Sequence, residues 1–132
     1  MVLILGGLGA GKREYARSLG YNDAEMSGDV FSDAPVAVEP ENSLRSVPES
    51  AGAAPAASVI DMDAFIAALC GKELVLSREV GCGIVPLSRE ERRFREEAGR
   101  LQVRLAKEAD SVIRVIAGIP VAIKGEMPCM RS

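Results

Sequence analysis

The chain has 132 residues, 48% hydrophobic and 27% charged, with a net charge of −3 at neutral pH. That size and balance fit one domain with one modest core and exclude a disordered tail. They also argue against a general nucleic-acid binder, whose domain is normally basic. With two Tyr, three Phe and no Trp, a base-stacking platform is excluded as well.

No apolar run approaches the roughly 20 residues that cross a bilayer. The opening Met1–Leu5 run lacks the length and basic flank of an export signal. The three cysteines (Cys70, Cys82, Cys129) show no CxxC spacing, so reduced thiols and a cytoplasmic location are expected. The chain contains no histidine, which removes any imidazole base or nucleotidyl-histidine from these residues.

In chain order, Met1–Leu5 reads as a buried strand that stops in a glycine-rich turn. Tyr15, Ala16 and Leu19 then share one helical face, and Gly20 is a good stop. Val36-Ala37-Val38 reads as a short strand. From residue 40 to 58 the composition shifts to Pro, Ser, Ala and Gly, and a mobile linker or flap is expected there within a single domain of residues 1–132. Order resumes at Val59-Ile60. Asp61 is placed to cap a helix carrying Phe65, Ile66 and Leu69. Glu73–Leu76 reads as a second buried strand, and Gly81, Cys82, Gly83 and Pro86 mark a loop. Ser88 and Glu91 have capping-box spacing ahead of a long helix striped by Phe94, Ala98, Leu101, Leu105 and Ala109. Ser111–Ala117 and Val121–Lys124 close the chain as strands, separated by Gly118 and Pro120. Alternating strands and helices with continuous apolar strands indicate a three-layer α/β domain, a mainly parallel sheet flanked by helices.

Gly6, Gly7, Leu8, Gly9, Ala10, Gly11 and Lys12 match the G-x-x-x-x-G-K phosphate loop, after a strand and before a helix. Glycines let backbone N–H groups turn inward around phosphate oxygens, and Lys12 reaches the outer phosphates. The bland alternative is a tight structural turn. A Ser or Thr hydroxyl that ligates Mg²⁺ normally follows the lysine, and here Arg13 stands in that place. Nucleotide binding is expected, while the use of Mg²⁺ is thrown into doubt. Asp61 either holds Mg²⁺ through water, as a catalytic and metal residue, or only caps the next helix. Glu79, just past a strand's carboxyl end, either contacts ribose or base or anchors its loop. The arginines of the long helix alternate with glutamates, which marks a solvated or subunit-facing helix. Cys82 reads as an inert thiol, since no histidine activates it.

The loop, together with Ser77-Arg78-Glu79-Val80-Gly81-Cys82-Gly83-Ile84-Val85-Pro86 and Arg93-Phe94-Arg95-Glu96-Glu97-Ala98-Gly99-Arg100-Leu101, resembles the adenosylcobinamide kinase/adenosylcobinamide-phosphate guanylyltransferase family of cobalamin biosynthesis. Val115–Pro120 is similar to that family's closing strand. The similarity covers residues 1–19 and 58–124. It implies a P-loop transferase that uses GTP or ATP on a corrinoid, adenosylcobinamide or its phosphate, and forms a homo-oligomer. By the same resemblance Gly6 to Arg13 form the nucleotide loop, Glu39 matches a nucleotide-contacting glutamate, Asp61 ends a strand as an acid, and Glu79 lies in the signature. The family's guanylylated histidine has no counterpart here. Alternatives are a degenerate nucleotide- or corrinoid-binding scaffold or regulator, and an unrelated small P-loop module.

Overall fold

The computed structural model describes residues 1–44, 61–79 and 88–130. Six strands form one sheet: β1 (Val2–Gly6), β2 (Met26–Ser27), β3 (Val36–Val38), β4 (Leu74–Arg78), β5 (Ser111–Ile116) and β6 (Ile119–Lys124). Their spatial order is β2-β3-β4-β1-β5-β6. All neighbours are parallel except β5 and β6, which form an antiparallel hairpin. Among the described residues the α-helices are α1 (Lys12–Ser18), α2 (Met62–Cys70) and α3 (Arg89–Glu108).

The strand pattern explains the layering. Successive side chains on a strand point to opposite faces. On β1, Ile4 packs with Val36, Leu76, Ile113 and Val115 against Ala16 of α1 and Leu19 just after it. Leu3 packs with Val75 and Val112 against Phe65 and Leu69 of α2 and Leu101 and Leu105 of α3. Both faces are covered, so the strands read as unbroken apolar runs, as a buried parallel sheet requires. The three-layer α/β architecture expected from the sequence is the one observed.

Local signals set the boundaries. The Asp61 carboxylate accepts from the Asp63 and Ala64 N–H groups and caps α2. Ser88 accepts from the Glu91 N–H and caps α3. Pro120 sits inside β6 and not between strands, which is tolerated because β6 is an edge. The two-residue turn joining β5 to β6 has positive φ at both Ala117 (50°) and Gly118 (78°), the geometry whose twist matches a hairpin.

The stretch expected to be loose from residue 40 begins with folded structure. Pro40–Leu44 is a 3-10 helix with Pro40 and Glu41 buried. Proline suits a first helical position because its missing N–H has no partner to lose. Residues 45–58, Val59-Ile60 and the Gly81-Cys82-Gly83/Pro86 loop lie outside the described residues.

Candidate functional site

The site grows from the carboxyl end of β1. The strand ends at Gly6, and residues 7–11 turn back into α1, with Gly11 at φ 100° as its cap. A Cβ on Gly11 would lie 3.3 Å from the Gly118 Cα, so glycine meets both the backbone and the packing demand. The Gly118 N–H donates to the Ala10 carbonyl at 2.8 Å, and the β5–β6 turn thereby braces the loop.

Lys12 is only 8% exposed. Its Nζ donates to the Gly6 carbonyl at 2.9 Å and the Gly7 carbonyl at 3.1 Å. Burial pushes its ammonium below the ordinary lysine value. Glu39 and Glu41 act in the opposite direction, raising it, and Arg78 presses it down. The amine is therefore buried between the loop carbonyls and acids contributed from across the sheet.

A cavity of about 510 Å³ opens over the loop, a size that suits a small-molecule ligand. Leu8, Gly9, Ala10, Gly11, Lys12 and Arg13 line it from the loop side. Glu39 and Val38 close it from β3, Leu76 from β4, and Ala117 and Gly118 from the hairpin turn. Gly6 and Gly7 stand behind the wall and act through the carbonyls that hold Lys12.

Glu39 follows β3 with a left-handed backbone, φ 47°, which non-glycine residues adopt rarely. Its N–H donates to the Leu76 carbonyl at 2.6 Å, and its carboxylate accepts from Asn42 at 3.1 Å. The structure thus brings Glu39 onto the cavity wall opposite Lys12. Asp61 does not line the cavity; its Oδ1 accepts from the Asp63 and Ala64 N–H groups at the start of α2. Nor does Glu79, whose carboxylate takes both guanidinium arms of Arg114 at 2.6 and 3.2 Å. Its backbone N–H donates to the Gly6 carbonyl, so Glu79 fastens the end of β4 to the loop.

Two participants were not singled out by the sequence. Glu41 is buried, with its carboxylate accepting from Ser77 Oγ at 3.1 Å and the Arg78 N–H at 2.7 Å. Gln102 of α3 donates to Ser77 Oγ from the other side. Burial pushes the Glu41 carboxyl above the usual carboxylate range, opposed by those hydrogen bonds. The only sequence signal was an acid directly after Val38-Glu39-Pro40, and it lay inside the stretch read as linker. The Ala117–Gly118 wall gave a glycine between two apolar runs, which marks a turn but not its partner.

The loop of residues 6–13 offers a divalent cation no side-chain hydroxyl. The position after the loop lysine carries a guanidinium, which is donor-only. Among the described residues no group of three or more metal-ligating side chains is found.

Comparison with known proteins adds the lineage. The family model for cobinamide kinase / cobinamide phosphate guanyltransferase matches residues 38–123, well over half of the chain. The chain belongs to this family. The cobinamide kinase/guanyltransferase match begins at Val38 and so includes Glu39, Glu41, Glu79 and the β5–β6 turn, while the 6–13 loop precedes it. Over 58 residues the chain is 40% identical to the bifunctional adenosylcobalamin biosynthesis protein CobP of Pseudomonas aeruginosa, covering 44% of this chain and 34% of that one. Over 53 residues it is 51% identical to the bifunctional adenosylcobalamin biosynthesis protein CobU of Salmonella typhimurium, covering 40% and 29%. The Escherichia coli CobU is 49% identical over 53 residues, with the same coverage. The matched stretch spans about a third of the length of these family relatives. Among the described residues no helix is long and apolar enough to cross a membrane.

Proposed function

We propose that the chain activates cobinamide in cobalamin biosynthesis, as a transferase that binds the phosphates of GTP or ATP at the loop of residues 6–13. The observation that carries this reading is the buried Lys12 ammonium at the base of the cavity, with Glu39 across from it, in a chain of this family. The corrinoid partner is adenosylcobinamide or its phosphate. Kinase chemistry is the half that these residues support, because phosphoryl transfer relies on positioning and electrostatic stabilisation more than on covalent intermediates. Guanylyl transfer through a histidine is closed to these residues, which include none. Lys12 serves as the charged contact to the outer phosphates, and the loop N–H groups cradle the inner ones. Glu39 is an acidic group on the wall of the same cavity.

The test is a mass spectrum of the corrinoid after incubation with GTP, ATP and Mg²⁺. A phosphate or GMP added by the wild type and absent with Lys12→Ala is the expected result. An unchanged corrinoid beside demonstrable nucleotide binding overturns turnover and leaves the second reading, a binding protein of the same lineage. The observation favouring that second reading is Arg13 in the hydroxyl position.

A homo-oligomer belongs to the same proposal. Its support is the row of exposed apolar side chains Ile116, Ile119, Val121 and Ile123 along the hairpin. The outer face of α3, by contrast, is charged and shows only Val103 as a large exposed hydrophobic residue. A monomeric mass at micromolar protein overturns the oligomer.

A further inference from the structure

We infer that the cavity binds nucleotide phosphates without a divalent cation, with the Arg13 guanidinium occupying the role that the cation has in loops of this type. The inference rests on the nucleotide reading above. A loop that holds Mg²⁺ offers a hydroxyl directly after its lysine. Arg13 offers five N–H donors and no lone pair, in a planar fork that matches two phosphate oxygens at once.

Arg13 is exposed on the cavity wall, and among the described residues it forms no hydrogen bond or ion pair. The neighbouring arginines are paired. Arg17 is paired with Asp23 at 2.8 Å and Arg114 with Glu79, while Lys12 rests on two neutral loop carbonyls. Three of the acids considered do not line the cavity. Glu41 serves Ser77 and Arg78, Glu79 serves Arg114, and Asp61 caps α2. Two carboxylates remain on the wall, Glu14 and Glu39. They come from different elements, and the first lies beside Arg13 in sequence. A cation entering between them meets the charge of Arg13, whereas a phosphate meets its donors.

The experiment is calorimetric titration of the full chain with GTP, and with ATP in parallel, in excess EDTA and in excess MgCl₂. The wild type is expected to bind with dissociation constants within about threefold of each other in the two media. Arg13→Ala is expected to weaken binding in EDTA by roughly 10- to 100-fold, the worth of a charge-assisted hydrogen bond. Arg13→Ser, which restores the hydroxyl, is expected to bind more tightly with Mg²⁺ than with EDTA. Because Arg13 is exposed, thermal melting of both variants should match the wild type. Wild-type binding that needs Mg²⁺ overturns the inference and leaves the nucleotide reading intact. Arg13→Ala binding as tightly as the wild type in EDTA, or Arg13→Ser indifferent to Mg²⁺, overturns the role given to Arg13. No binding of either nucleotide in any medium overturns both.

Discussion

Lys12 links the site to pH through two effects of opposite sign. Its folded value lies below the ordinary 10.5 because burial strips solvent from the ammonium. Between the two values the unfolded chain binds more protons, so stability rises with pH in that window. Affinity for a phosphate falls over the same window, because a neutral amine offers no counter-charge. Titrations at stepped pH are expected to show nucleotide affinity declining below the pH at which a free lysine loses its proton. Lys12→Arg should flatten the decline, since a guanidinium does not titrate there. Glu41 behaves differently. Its folded value lies above the ordinary 4.5, so between them the folded chain holds the extra proton and stability falls as pH rises. Glu41→Gln should remove that slope in urea melts while keeping an acceptor for the Arg78 N–H. Glu41→Ala should cost about 1–3 kcal/mol, because it strands the buried donors of Ser77 and Arg78.

At the scale of elements, the β5–β6 hairpin works as a brace for the loop. Gly118 holds the Ala10 carbonyl while sitting at φ 78°. Gly118→Val should lose about 1–2 kcal/mol of stability to left-handed strain. It should also weaken nucleotide binding, measured by the same titration, with Lys12, Arg13 and the loop residues unchanged. Helix α3 offers a comparison. Leu105 is fully buried between sheet and α2, and Leu105→Ala should cost about 2–5 kcal/mol in denaturant melts. If Leu105→Ala leaves the midpoint unchanged, α3 is not seated as described.

These elements also show what the sequence made legible. The β1–loop–α1 unit, both helix caps and the α3 stripe were readable because each depends on residues within four positions of one another. The strand Val36–Val38 was readable too, but the fold of Pro40–Leu44 was not. Its ordering comes from Ser77, Arg78 and Gln102, which are distant in sequence. The same cause separates the acids. Asp61 and Glu79 read as site residues from their local context, and the structure places them off the cavity wall, at the α2 cap and beside Arg114. Glu39 faces Lys12 only because β3 and β1 flank β4 in the sheet.

For the whole molecule, ligand linkage gives a check that does not depend on turnover. A nucleotide present at 100 times its dissociation constant should add about 2.7 kcal/mol to the folded state. Thermal melts with and without GTP measure it, and an unshifted midpoint would falsify the nucleotide site whatever the enzyme assay shows. The net charge of −3 makes this stabilisation a local matter, because the chain as a whole repels a polyanion while the loop attracts it.

The position of β1 between β4 and β5 has a consequence for the life history of the molecule. Val2 lies opposite Leu74 on one side and Ser111 on the other, and the terminal ammonium is tied to Asp110 at 2.8 Å. Both edges of β1 are therefore filled only once β4 and β5, each distant from it in sequence, are in place. Pairings across such separations are slow to form, because the long loop must close before any contact rewards it. The loop of residues 6–13 inherits that delay, because its brace arrives with Gly118. A chain whose hairpin has not yet formed carries the loop motif without the contact that steadies it.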